Sequence, residues 1–160
     1  LALQEPGALG AAVDLGAPVC LMHMQGRPRT MQASPEYDDV TGDVMAYLGD
    51  RVAACIEAGI PRKKIIIDPG FGFGKTHSQN VELLANLRQL QDLGLPVLVG
   101  LSRKSTLGAL TGREVEDCRP GSLSAAVRAV MNGAQIVRAH DVRETVDARK
   151  VGDAVLGKQE

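Results

Sequence analysis

The stretch Ile65–Thr76, "IIIDPGFGFGKT", runs from three β-branched residues through an acid and a proline into alternating glycines and a Gly-Lys-Thr ending. Its first half reads as a short buried strand, because the apolar run is brief, β-branched and stopped by Asp-Pro-Gly. Its second half invites comparison with a phosphate loop. That pattern needs a glycine five positions before Gly74, where Pro69 stands, and a helix entered at the lysine. Instead "THSQN" follows, with capping residues of its own. The glycines therefore need another purpose. Gly70, Gly72 and Gly74 let backbone pass close to a flat ligand, and Phe71 or Phe73 offers it a face, unless both rings simply fill core.

Three more runs of the same kind flank this one, so four strands are predicted: Val19–Met24, Ile65–Asp68, Pro96–Leu101 and Gln135–Ala139. Helical patterns separate them. Val40, Val44, Leu48, Val52 and Ile56 recur every fourth residue on one stripe, closed by Gly59. Val81, Leu84, Leu87 and Leu90 repeat before Gly94. "SLSAAVRAVMNGA" predicts a helix from about Ser122 to Asn132, and "DVRETVDARKVGDAVL" a final one, with Asp141 and Glu144 at capping-box spacing. A leading helix over Pro6–Leu15 precedes the first strand, which implies a strand before it. Strands alternating with helices predict α/β architecture with parallel strands buried on both faces. Four βα units make half of a (β/α)₈ barrel or a small open doubly wound sheet, and spacing alone does not separate the two.

Composition narrows the function. The chain has 160 residues, 44% of them hydrophobic, enough for one ordinary core. Its longest apolar runs, such as "LPVLVGL", are too short for a membrane span, and no basic segment leads into an apolar leader. A net charge of −1 and 2% aromatics argue against a nucleic-acid surface. Cys20, Cys55 and Cys118 show no CxxC spacing, which fits a reducing cytosol rather than disulfides or structural zinc.

In parallel α/β folds the ligand sits at the carboxyl ends of the strands. Those ends read "MHMQG", "DPGFGFGK", "GLSRKS" and "RAHD". They place Lys75, Arg103, Lys104, Arg138 and His140 on one rim, a cationic cluster on a nearly neutral chain. Asp68 ends a buried strand, where a carboxylate accepts two parallel hydrogen bonds from an amidine-like edge such as a pterin or guanine presents; a turn aspartate before proline is the plainer alternative. "SRKS" opens a helix and suits a phosphate or pyrophosphate. His23 reads as a hydrogen-bonded structural histidine, and His77 as a loop residue.

Together, "LMHMQGRP", "IIIDPGFGFGKT", "VGLSRKS" and "RAHDV", in this order and at these intervals, closely resemble the carboxyl-terminal half of the bacterial dihydropteroate synthases. The resemblance covers nearly the whole chain. It implies an α/β (β/α)₈ TIM barrel of which this chain carries about the last four βα units, residues 1–160 being one pterin-binding domain. The implied activity is a cytoplasmic transferase of folate biosynthesis, the sulfonamide target. It joins 6-hydroxymethyl-7,8-dihydropterin pyrophosphate to 4-aminobenzoate and releases pyrophosphate.

Residue by residue, the resemblance assigns Asp68, Met24, Lys104 and Phe73 to the pterin, with Met24 packed on the ring. It assigns Phe73, Gly72, Ser102 and Lys104 to the aminobenzoate, and Arg138, His140 and Ser102 to the pyrophosphate. Lys104, Arg138 and His140 are its catalytic group. The partners it implies are small molecules and a second copy in a homodimer, with no nucleic acid and no membrane. It also implies Mg²⁺, with the ligand expected from the family's first four strands, to which no segment here corresponds; no metal ligand is expected in this chain. Two other readings compete. One is a non-catalytic half-barrel that keeps pterin or pyrophosphate affinity. The other is a methyltetrahydrofolate-binding methyltransferase domain, against which the paired cations of "SRKS" and "RAHD" argue, since its donor carries no pyrophosphate.

Overall fold

The computed structural model describes residues 3–26, 31 and 35–157. Helix α1 (Ala8–Leu15) leads into strand β1 (Val19–Met22), helix α2 (Val40–Glu57), strand β2 (Ile65–Asp68) and helix α3 (His77–Ala85). Strand β3 (Leu98–Val99), helices α4 (Ser105–Thr111) and α5 (Arg119–Met131), strand β4 (Ile136–Val137) and helix α6 (Val142–Val155) complete the order. The fold is α/β. Strand β1 pairs with β2 in parallel over Val19–Met22 and Ile65–Asp68, and β3 pairs with β4 in parallel. A parallel bridge from Ile67 to Val97 joins the two pairs. Each strand thus neighbours the next one in the chain, without the reversal of order that marks a doubly wound sheet.

All four predicted strands are present, and three are shorter than the apolar runs suggested. Strand β1 stops at Met22, yet the His23 amide still donates to the Asp68 carbonyl at 3.0 Å. The ladder ends where each chain peels away to present its polar residues.

The prediction that both sheet faces are buried needs correcting. Successive strand residues face opposite sides, and on one side Leu21, Ile65 and Ile67 are buried and Val19 is half-buried. On the other side Cys20 is exposed and Met22 and Ile66 are half-buried, and only Asp68 at the strand end is buried. Strands β1 and β4 also have no outer neighbour among the described residues. The three cysteines are all free.

Helix α2 forms because Asp39 caps it, its carboxylate accepting from the Thr41 and Gly42 amides at 3.0 Å. Val40, Val44, Leu48 and Val52 then bury one stripe, and Gly59, at φ 103°, ends it. Each fully buried Leu or Ile in this core contributes about 2 kcal/mol. Ile56 departs from the stripe and is 41% exposed, while Cys55 is buried. A strict four-residue repeat drifts about 40° per step on a helix of 3.6 residues per turn, so the fifth member has turned off the core face.

The second predicted helix divides in two. Helix α3 ends at Ala85, and Leu87–Leu93 forms a 3₁₀ segment. Leu87, Leu90 and Leu93 recur every third residue, the period of a 3₁₀ turn rather than an α-helix. Val81 is exposed and Leu83 takes the buried position. The capping box lies at Thr76 and Gln79, inside the "THSQN" segment. The one predicted at Asp141 and Glu144 is absent, because Asp141 makes no side-chain cap and pairs with arginines instead.

Candidate active site

The loop that follows β2 folds back against the end of β1. Gly70 has φ 70°, and a Cβ placed on it would stand 1.8 Å from the His23 carbonyl oxygen. A Cβ on Gly74 would stand 2.6 Å from the Gln25 carbonyl oxygen. Only glycine allows backbone to lie this close to backbone in that conformation. Asp68 is buried, and its Oδ1 accepts from the Gly70 amide at 2.8 Å. Its other oxygen makes no hydrogen bond among the described residues. Burial raises its carboxyl above the usual range, against the pull of the Gly70 amide, Arg138, Lys104 and Lys75.

The two phenylalanines part company. Phe71 is 2% exposed and belongs to the core. Phe73 is half-buried and carries the Lys104 ammonium 4.6 Å from its ring centroid, a cation–π contact. The Lys104 chain lies across Gly72, where an added Cβ would meet its Cδ at 3.4 Å. Burial lowers the Lys104 pKa, and the Arg138 cation lowers it further.

Phe73 and Lys104 line a cavity of about 350 Å³ together with Gly100, Ser102, Arg138, Ala139 and His140. Ser102 is buried and links two strand ends: its Oγ accepts from the His140 amide at 3.2 Å and lies 3.0 Å from His140 Nδ1. The Arg138 guanidinium lies over Gly100, whose added Cβ would stand 2.8 Å from Nη2. The Arg138 amide donates to the Val99 carbonyl at 2.8 Å, while its guanidinium makes no hydrogen bond or ion pair among the described residues and lines the cavity with its donors unspent. Across the sheet, burial and the Asp68 charge push the Cys20 thiol up to about 11.

The predicted rim holds for Lys104, Arg138 and His140 and fails for two cations. Arg103 turns away into an ion pair with Asp141 at 2.9 Å, its own backbone at φ 55° and its amide bonded to Ser122 Oγ at 3.0 Å. Lys75 is 3% exposed and lies beneath the loop. Its ammonium meets His23 Nδ1 at 2.9 Å and donates to the carbonyls of Gly70 at 3.0 Å and Phe73 at 3.1 Å. Met24 is half-buried beyond β1 and does not line the cavity. Arg27 and Pro28 of "LMHMQGRP" lie outside the described residues. His77 is the first residue of α3 rather than a loop residue, its Nδ1 3.1 Å from Thr106 Oγ1.

Sequence reading missed two supports. Asn80 Oδ1 accepts from the Gly72 amide at 2.8 Å, and the Tyr37 hydroxyl donates to the Gly74 carbonyl at 2.6 Å. Neither follows a motif; each acts only once the loop lies beside it. Larger grooves of about 580 and 570 Å³ run along α5 and α6; their walls are mostly apolar and include none of the strand-end cations, and the first reaches Ala139 beside the cavity. Among the described residues no cluster of His, Cys, Asp or Glu could hold a metal ion, and these side chains do not fit Mg²⁺ on their own. No helix among them is long and apolar enough to cross a membrane.

Burial and the Lys75 charge push His23 down to about 3, while burial pulls Lys75 down to about 7. A depressed histidine binds fewer protons folded than unfolded, so its share of stability is present above about 6.5 and is lost as pH falls toward 3. Urea unfolding at stepped pH should show this loss, at most about 1.4 kcal/mol per pH unit for one proton. His23→Asn should flatten the slope, and an unchanged slope would remove His23 from the account.

The chain is similar to known proteins in sequence and in fold. The dihydropteroate synthase of Escherichia coli K12 is 52% identical over 158 residues, which are 99% of this chain and 56% of that protein. The Yersinia pestis dihydropteroate synthase, solved with a sulfonamide drug, superposes with a TM-score of 0.95 at 49% identity, covering 99% of this chain and 58% of that one. The Xanthomonas albilineans enzyme in complex with 7,8-dihydropteroate gives 0.90 at 49% identity, over 97% and 56%. The chain spans about half the length of the relatives it matches. The family described as pterin binding enzymes matches residues 2–140, a span that includes all four strand ends. On that match and the strand-end architecture beneath it, the chain belongs to the pterin-binding enzyme family.

Proposed function

We propose that this chain is the carboxyl-terminal half of a dihydropteroate synthase, one domain supplying the last four βα units of a (β/α)₈ barrel. The observation that carries the reading is the convergence of Lys104, Arg138 and His140 on one cavity with Phe73, beside the buried Asp68. The unreversed parallel order of the strands supports the barrel.

On this reading Asp68 accepts hydrogen bonds from the pterin's amino-pyrimidine edge, Lys104 bonds the same ring system, Met24 packs on it, and Phe73 stands beside it. Phe73, Gly72, Ser102 and Lys104 border the aminobenzoate. The carbon–oxygen bond at the pterin methylene breaks, and pyrophosphate leaves with the electron pair. Arg138, His140 and Lys104 stabilise the charge that develops on it, with Ser102 holding His140 in place. The arylamine lone pair then closes the new carbon–nitrogen bond, and the ammonium proton passes to solvent. Mg²⁺, if it serves this reaction, takes its ligands from the part of the relatives that this chain does not span. A cytoplasmic homodimer fits the same reading, with the apolar groove of Leu123, Val127, Met131, Val151 and Val155 as the surface for the second copy.

The test is a chimera in which this chain replaces the matching part of the Escherichia coli relative. With pterin pyrophosphate supplied, pyrophosphate should appear only when 4-aminobenzoate is added. Binding of the pterin without release would mark a binding module instead. Transfer of a methyl group from methyltetrahydrofolate would mark the methyltransferase.

A further inference from the structure

Lys75 is the most deeply buried charged group that this chemistry leaves without a task. A lysine taken out of water must find partners for its ammonium, and this one finds three, the full number of its donors. Two of the three are backbone carbonyls at the two ends of one tight turn. The Phe73 amide donates to the Gly70 carbonyl at 3.1 Å, closing Gly70–Phe73, and Lys75 holds the carbonyl at each end. The third partner ties that turn to another strand. His23 follows β1, its amide bonds the Asp68 carbonyl, and its ring is fixed by an edge contact with Tyr47 at 4.9 Å.

The two ends of the turn are not equally dependent on the lysine. Gly70 has a second anchor, since its amide bonds the Asp68 carboxylate. The Phe73 carbonyl has no other donor among the described residues. Its ring lies under Lys104 and lines the cavity.

We propose that Lys75 is a positioning residue for the arylamine: by fixing the Phe73 carbonyl to His23 it sets where the Phe73 ring and the Gly72 backbone stand beneath Lys104, and it touches neither substrate. The inference rests on the reaction proposed above. It assigns the larger loss to the aminobenzoate, because Asp68 keeps its own bond to Gly70 when Lys75 is removed and loses only the pull of the Lys75 charge.

The test uses the same chimera, with Lys75→Met, which keeps the length of the side chain and removes its donors. Misplacing a binding surface by about an ångström costs up to about a hundredfold, so KM for 4-aminobenzoate should rise about tenfold or more. The dissociation constant of the pterin pyrophosphate should stay within about threefold over the same change. A fall in kcat alone, in step with the fraction folded, or an equal weakening of both substrates would overturn the proposal.

If Lys75→Met yields no folded protein, His23→Leu and His23→Asn decide. Asparagine places an oxygen near the position of Nδ1 and should keep the KM for 4-aminobenzoate, whereas leucine should raise it. Equal KM values for the two would count against the proposal. A parent chimera that releases no pyrophosphate sinks the reaction and the inference together; a normal parent beside an unshifted Lys75→Met sinks only the inference.

Discussion

Lys104→Ala should lower pyrophosphate release by the chimera by about a hundredfold or more, the scale on which removing one preorganised charge from a reacting centre acts. On the reaction proposed above, three observations support putting the ammonium there. It stands 4.6 Å from the Phe73 ring centroid, it lines the cavity with Arg138 and His140, and it lies within electrostatic reach of Asp68. Its surroundings also make it uncomfortable. Burial and the neighbouring Arg138 both disfavour its charge. Alanine should therefore leave the melting temperature unchanged or raise it while activity collapses. Measuring kcat/KM and thermal unfolding on the same preparation checks both halves. Activity within about threefold of the parent would remove Lys104 from the site, since a positioned charge is worth far more than that.

Gly70→Ala should be the most damaging single methyl in the chain. The new Cβ would sit 1.8 Å from the His23 carbonyl oxygen, with the backbone at φ 70°. Both obstacles are backbone, so no side-chain rotation relieves them. Left-handed conformation alone costs about 1 kcal/mol, and the overlap must push the loop off β1, for a total of about 3 kcal/mol or more. Gly72→Ala is the control. It has a similar φ of 77°, but its Cβ would meet only the Lys104 chain at 3.4 Å, so about 1 kcal/mol is expected. Urea unfolding of both variants separates close approach from conformation. Equal losses would mean that the loop does not run so near the end of β1.

The sequence made the order of strands and helices legible because each is a short apolar run or a periodic stripe, and those patterns are local. Asp68, Lys104, Arg138 and His140 were legible for a related reason: the carboxyl ends of parallel strands gather at one side of any such sheet. What was not legible depended on direction or distance. Arg103 and Lys104 are adjacent and alike in charge, yet the positive φ of Arg103 and the carboxylate of Asp141 turn the first away and leave the second over Phe73. Asp141 looked like a helix cap, and its arginine partners stand 38 and 22 positions earlier in the chain. Lys75 looked like a rim cation because nothing local announces that His23, 52 residues away, waits beneath it. Ile56 was lost to the drift of a repeat that does not match the helix.

A loop with three glycines in five residues would ordinarily be among the softest parts of a protein. This one is held at nearly every step: Gly70 by Asp68, Gly72 by Asn80, Phe73 by Gly70 and Lys75, Gly74 by Tyr37, and Thr76 by Gln79. A ligand arriving at it finds a surface already in place. Little of the binding energy is then consumed in ordering the chain, and affinity is decided by contact and desolvation rather than by the entropy of a closing loop.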